Sequence, residues 1–150
     1  MKPLKSFAML SASFVLAMTV GAQGSLADTG SPDPVLYLRG IEAYSTGGGN
    51  FIRYEYDVLN KASYPADLFA AAPNLPPCGN NTNASRTWVD FFDKSGDRLY
   101  GFCALGSPNN LGSIWFALPE GEVPPSWVYI EMRDRQTNIL YRSNLAETTP

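Results

Sequence analysis

The sequence predicts an all-β protein: a single antiparallel β-sandwich of about seven strands with one disulfide. Apolar and polar residues alternate with a period of two in short segments that begin after Ser31. Clusters of glycine, proline, asparagine and aspartate separate these segments, as turns do between strands. The chain has two cysteines, Cys78 and Cys103, and both follow an apolar N-terminal segment. These observations together favour a disulfide-bonded β domain that folds outside the cytoplasm.

The N-terminus has the pattern of a secretory signal. Lys2 and Lys5 precede an apolar run of about 14 residues, followed by small residues that suit signal-peptidase cleavage. The run is shorter than the span of about 20 residues that crosses a bilayer. We therefore expect a secreted or periplasmic protein with no membrane span in its mature chain. The predicted division is a signal peptide (1–27), a flexible segment (28–34), the β-sandwich domain (35–143) and a flexible tail (144–150).

Charge and composition exclude several functions. The net charge of the 150-residue chain is −3, and loss of Lys2 and Lys5 with the signal changes it to about −5. This acidity, without a basic cluster, argues against nucleic acid as a partner. The chain has no histidine, so a Ser-His-Asp triad cannot form. We predict no cofactor and no enzymatic activity.

The first two predicted strands cover residues 35–44 and 51–60. Gly40 is expected at a β-bulge in the first strand. The second strand alternates most clearly, because every second residue is apolar or aromatic and the residues between are charged. Its predicted core side chains are Ile52, Tyr54, Tyr56 and Val58.

Residues 61–85 form the longest irregular stretch, since four prolines interrupt any regular ladder there. A single helical turn is expected within residues 67–72. A loop of this length in a compact domain is usually functional, packed down or disordered, and its apolar residues Leu68, Phe69 and Leu75 argue against disorder. The prolines are Pro65, Pro73, Pro76 and Pro77.

A hairpin follows, with Gly96 supplying a positive φ in the turn. Val128, Ile130 and Met132 are predicted to point into the core from a later strand. The remaining predicted strands are 86–92, 98–104, 113–118, 127–133 and 139–143.

The number and spacing of strands over residues 35–143 resemble an immunoglobulin-like or fibronectin type III-like β-sandwich. The segments Leu75-Pro-Pro-Cys-Gly and Gly101-Phe-Cys-Ala-Leu also look like modules of uncharacterised exported bacterial proteins. The chain departs from antibody domains, because its cysteines are too close in sequence for the usual bridge between sheets. The resemblance implies a fold and no particular activity.

Cys78 and Cys103 are predicted to form a disulfide that ties the long loop to the hairpin. Closing this loop would stabilise the fold by about 3 to 3.5 kcal/mol in the chain-entropy model. A redox-active pair is the alternative. The sequence lacks both a Cys-x-x-Cys spacing and a histidine to lower a thiol pKa, so a structural disulfide is favoured.

Two groups of residues are candidates for binding. The first is the proline-rich loop, in which a disulfide at Cys78 would hold a surface already ordered for contact. The second is an aromatic pair on the strand 127–133, opposite its inward side chains. If exposed, this pair indicates a binding patch; burial beneath the long loop would make it a second small core, and burial is favoured. The candidates are Leu75, Pro76, Pro77, Asn80, Asn81, Trp127 and Tyr129.

Asp90, Asp93 and Asp97 surround the hairpin turn and are a weak calcium candidate, because calcium prefers carboxylate oxygens. Their spacing does not fit an EF-hand, and aspartates that hydrogen-bond their own turn explain them better. The same carboxylates, with aromatic residues to stack sugar rings, would suit a hydrolase. No nucleophile or nucleotide motif supports catalysis.

The sequence therefore predicts a secreted, non-catalytic binding or structural module whose partner is a protein or a polysaccharide. A small secreted protease inhibitor is the main alternative, because a stiff, extended loop suits occupation of a protease active site. A carboxylate-based hydrolase and a calcium-binding domain are weaker alternatives.

Overall fold

The structure, a computed structural model, describes residues 30–76, 85–104 and 106–149. Within these residues the chain forms eight β-strands, three 3₁₀ helices and no α-helix. No helix in this part of the chain has the length and apolar character needed to span a membrane. The strands are β1 (Leu36–Thr46), β2 (Gly49–Val58), β3 (Thr87–Asp93), β4 (Arg98–Ala104), β5 (Ile114–Pro119), β6 (Trp127–Asp134), β7 (Leu140–Arg142) and β8 (Ala146–Glu147).

The strands form two sheets in which every described pairing is antiparallel. The first sheet has the order β1-β2-β5. The second has the order β4-β3-β6-β7, and the short β8 also pairs with β6. The prediction of an all-β, antiparallel protein is therefore confirmed.

The bulge predicted at Gly40 is present. The register between β1 and β2 shifts between Leu38 and Gly40, which leaves Arg39 as the extra residue. The shift keeps apolar side chains of β1 opposite the core residues of β2 on both sides of the bulge. Leu38 pairs with Tyr56, and Ile41 pairs with Tyr54.

Both sheets contribute side chains to one core. The Phe91 ring of β3 lies 5.6 Å from the Tyr56 ring of β2 and 5.3 Å from the Phe116 ring of β5, measured between centroids. Each of these rings is at most 1% exposed. Complete burial of such a side chain contributes about 1.5 to 3 kcal/mol. The aromatic contacts therefore hold the two sheets together.

The strand β6 follows its predicted pattern, because Val128, Ile130 and Met132 are all fully buried. The hairpin between β3 and β4 also turns as predicted. Gly96 has a φ of 93°, a left-handed conformation that glycine adopts without strain.

The C-terminal segment differs from the flexible tail expected from residue 144. Ala146 pairs with Val128 of β6, and the Thr148 side chain is 1% exposed. The Tyr56 hydroxyl also donates a hydrogen bond to the Glu147 carbonyl at 3.2 Å. A two-residue strand is too short to produce an alternating pattern, so no local signal predicts it.

Candidate functional site

The long loop between β2 and β3 is packed against the fold along its described part. It contains two 3₁₀ helices, Lys61–Ser63 and Ala66–Phe69. Leu68 is 4% exposed and Phe69 is fully buried, so the helical turn joins the core. This turn begins one residue before the predicted range, 67–72, and ends within it. Burial of these side chains fixes the first half of the loop.

An ion pair fixes the other end of the loop. Arg86, directly before β3, donates Nε to Asp134 Oδ1 at 3.0 Å and Nη2 to Asp134 Oδ2 at 2.9 Å. Its Nη1 donates to Asp67 Oδ2 in the second 3₁₀ helix at 2.7 Å. The two-pronged contact matches the planar guanidinium to the carboxylate. Arg86 therefore joins the long loop to the end of β6.

Asp134 is ionised in this environment. Its side chain is only 2% exposed, and burial alone would raise its pKa. Hydrogen bonds from Arg86, the Thr137 hydroxyl and the Gln136 backbone outweigh that effect and lower the pKa to about 2. The same hydrogen bond raises the pKa of Arg86 above its usual value. The pair therefore stays charged at neutral pH.

Arg135 adds a second anchor from the turn after β6. Its Nη1 donates to the Ser85 carbonyl at 2.7 Å, and its Nη2 donates to the Pro76 carbonyl. The Arg135 backbone N–H also donates to the Arg86 carbonyl at 2.8 Å. The Arg135 guanidinium therefore holds the backbone on both sides of residues 77–84, at Pro76 and at Ser85.

Two of the binding residues predicted in the loop, Leu75 and Pro76, lie within the described part of the chain. Leu75 is half-buried, with its backbone N–H bonded to the Ala72 carbonyl at 3.0 Å, and Pro76 is exposed. A cavity of about 380 Å³ opens beside them. Residues of the loop, Arg86 and Gln136 line this cavity. Pro77, Cys78, Asn80 and Asn81 lie outside the described residues.

Trp127 and Tyr129 do not form the buried core beneath the long loop that the sequence favoured. Trp127 is 36% exposed and lines a groove of about 520 Å³ between β1 and residues 144–149. Tyr129 is half-buried, because it stacks on Phe92 at 5.4 Å and lies beneath the Arg142 guanidinium at 5.0 Å. The pair therefore lies on the outer side of β6 and is partly open to solvent.

Two of the three aspartates near the hairpin accept local hydrogen bonds through their side chains. Asp90 accepts a hydrogen bond from Arg98 Nε at 2.6 Å, and Asp93 accepts one from the Asp97 backbone N–H at 2.9 Å. Within residues 30–76, 85–104 and 106–149, no cluster of three or more acidic, histidine or cysteine side chains could hold a metal ion. The structure therefore does not assemble the weak calcium candidate from these residues.

The sequence interpretation missed Arg86, Asp134 and Arg135 as a group. Arg86 and Asp134 are 48 residues apart, and each by itself resembles an ordinary charged residue at the end of a strand. The only local signal is the placement of two arginines and an aspartate at the borders of the long loop and of the turn between β6 and β7.

Comparison of the chain with family models, with curated proteins and with solved structures gives no match. Its function is therefore inferred from the geometry of the molecule itself.

Proposed function

We propose that this chain is an exported, non-catalytic binding module with an immunoglobulin-like β-sandwich fold, and that it contacts its partner through the long loop between β2 and β3. The observation that carries the proposal is the double arginine anchor of this loop. Arg86 and Arg135 hold its backbone and side chains to the end of β6. A loop that is already ordered binds with a smaller entropic cost.

The strand order supports the fold part of the proposal. Constant-type immunoglobulin domains place strands A, B, E and D in one sheet and C, F and G in the other. If β1, β2, β3, β5, β6 and β7 correspond to A, B, C, E, F and G, the sheets here are A-B-E and C-F-G, with β4 added beside C. Aromatic contacts between the sheets agree with a sandwich.

The same correspondence supports the location of the binding surface. The loop between β2 and β3 becomes the B–C loop, and the turn between β6 and β7 becomes the F–G loop. Antibodies use these two loops, at one end of the sandwich, to bind antigens. In this chain Arg135 of the second loop donates to Pro76 of the first.

We further propose a disulfide between Cys78 and Cys103 and an export signal in residues 1–27. Cys103 lies on β4, opposite Trp88 in the ladder. A disulfide to Cys78 would add a covalent brace to the loop. Mass spectrometry of the non-reduced, digested protein tests this pairing directly, and a free Cys78 thiol would refute it.

Partner capture with matched variants tests the binding surface. The mature protein is immobilised and exposed to the exported fraction of its host, in parallel with Leu75→Asp and Val123→Asp. Val123 is 84% exposed and lies in the loop between β5 and β6. The start of this loop is near the β1–β2 turn, since the Glu120 N–H donates to the Asn50 carbonyl. We expect a partner that the wild type and Val123→Asp retain and Leu75→Asp loses. Equal retention by the wild type and both variants would refute this surface.

A small protease inhibitor is the second candidate, favoured by the position of Pro76. This residue is exposed, and Arg135 holds its carbonyl. Such bracing would keep an extended segment in the shape that a protease cleft accepts. A panel of serine, cysteine and metalloproteases, assayed with excess protein, tests this function; uniform absence of inhibition would exclude it.

A further inference from the structure

A stack of aromatic side chains crosses from the first sheet to the second. Trp115 of β5 lies 5.7 Å from Tyr44 of β1 and 6.0 Å from Tyr100 of β4, measured between ring centroids. The rings of Trp115 and Tyr100 are within 12° of parallel. The Tyr100 ring in turn lies 6.3 Å from the Phe102 ring of the same strand. The edges of the two sheets are therefore joined by aromatic contacts at the surface.

The stack is supported by a cation at Tyr44 and Trp115 and is open to solvent at Tyr100. The Arg53 guanidinium lies 5.4 Å from the Tyr44 ring and 5.5 Å from the Trp115 ring, and it forms an ion pair with Glu42. This cation–π contact fixes the Trp115 ring in place. Tyr100, on the other side of Trp115 from Tyr44, is 43% exposed. The supported stack thus presents an aromatic ring to solvent.

A groove of about 290 Å³ runs beside this ring. Its described lining holds no charged side chain and combines aromatic residues with the polar side chains of Asn110 and Ser113. The Asn110 Oδ1 accepts a hydrogen bond from Ser107 at 3.2 Å, which orients the amide. The Ser113 hydroxyl donates to Glu55 Oε1 at 2.5 Å. The volume is near the lower end of ligand sites, which suits a single ring-sized group.

From these features we propose that the groove between β4 and β5 binds a sugar ring of a neutral saccharide. The C–H face of a sugar would stack on Tyr100, whose ring offers a flat apolar surface. Sugar hydroxyls both donate and accept hydrogen bonds, so they can pair with the Asn110 amide and the Ser113 hydroxyl.

A proline-rich peptide would also favour an aromatic groove, but it fits these polar groups less well. Proline has no backbone N–H and offers carbonyl acceptors only. The Ser113 hydroxyl directs its proton to Glu55 Oε1, so towards the groove it is an acceptor that suits a donor from the ligand. A saccharide supplies that donor.

Isothermal titration of the mature protein with cellohexaose, maltohexaose and chitohexaose tests the proposal. We expect at least one hexasaccharide to bind with a Kd of about 1 mM or lower. Tyr100→Ala should weaken that binding at least about tenfold. Tyr100→Phe, which retains the ring, should bind within about twofold of wild type, and so should Tyr37→Ala, which removes an exposed tyrosine of β1.

Absence of binding by all three sugars at about 10 mM would overturn the proposal. Unchanged binding by Tyr100→Ala would overturn it as well, since the sugar would then lie elsewhere. A proline decapeptide is titrated in parallel, and binding of this peptide alone in a Tyr100-dependent manner would assign the groove to peptides instead. Circular dichroism confirms that each variant is folded. Failure here leaves the loop proposal intact, because partner capture through Leu75 uses another surface.

Discussion

Arg86 and Asp134 form a two-pronged ion pair that joins the start of β3 to the end of β6. The Asp134 side chain is 2% exposed, and the Arg86 side chain is 19% exposed. The third contact of Arg86, to Asp67, extends the pair into the long loop. A single arginine thus links the two loops that make up the proposed binding end.

Removal of Asp134 should destabilise the protein strongly. Asp134→Ala leaves the buried part of Arg86 without its main partner, and loss of one member of a buried pair costs about 3 kcal/mol or more. Chemical denaturation of the wild type and Asp134→Ala at pH 7 measures the difference between their free energies of unfolding.

The matched control is Arg98→Ala. Arg98 also pairs with an aspartate, Asp90, but its side chain is 52% exposed. An exposed pair of this kind contributes at most about 1 kcal/mol. Equal losses in the two variants would contradict a special role for Asp134.

Acid should lower the free energy of unfolding over a pH range set by the pKa of Asp134. The pKa of this carboxyl is about 2 in the folded protein, below the ordinary value of 3.8. Folding therefore favours the ionised form, so its contribution is complete above about pH 4 and is lost as the pH falls towards 2. The Asp134→Asn variant lacks this titration. Denaturation from pH 7 to pH 2 should show the wild-type advantage over Asp134→Asn shrinking in that range; a constant advantage would refute the assignment.

Asn144 should protect the open edge of β1. Its side chain accepts a hydrogen bond from the Leu36 N–H at 2.8 Å and donates one to the Leu36 carbonyl at 3.1 Å. Unpaired edge groups are templates for association with another chain. Asn144→Ala should lower the free energy of unfolding by about 1 to 3 kcal/mol and increase self-association in analytical ultracentrifugation. Asn109→Ala, at an exposed position of the third 3₁₀ helix (Pro108–Gly112), is the control; identical behaviour of the two variants would argue against edge protection.

Gly96 should tolerate substitution poorly despite its exposed position. Its φ of 93° is unfavourable for any residue with a Cβ atom, so Gly96→Ala should cost about 1 kcal/mol. Gly47→Ala is the control, because a Cβ added there would meet no atom within 4 Å and the φ of Gly47 is not left-handed. Thermal unfolding compares the variants, and equal melting temperatures would contradict the expected strain.

The parts of the fold that follow from local pattern were predictable. The alternation of β2, the inward residues of β6 and the bulge at Gly40 each leave a signal within a few neighbouring residues. Contacts between distant residues leave no such signal. Asn144 contacts Leu36 across 108 residues of sequence, and no local pattern at either residue predicts this contact.

The candidate site was predictable only in outline. Prolines marked the long loop, and Leu68 and Phe69 indicated that it packs down. Its anchors could not be inferred, because pairing of Arg86 with Asp134 depends on the neighbouring positions of β3 and β6 in the second sheet. The Tyr100–Trp115 stack depends in the same way on how the edges of two sheets meet.

Hydrogen exchange of the native, non-reduced protein tests the central claim most directly, since that claim is a loop ordered before it binds. The informative amides are Ala70, Leu75 and Arg86, whose N–H groups donate to the carbonyls of Asp67, Ala72 and Ala70. We predict that these amides exchange much more slowly than in an unfolded chain and that Arg135→Ala accelerates Leu75 most. Exchange of all three at the rate of an unfolded chain would contradict the account.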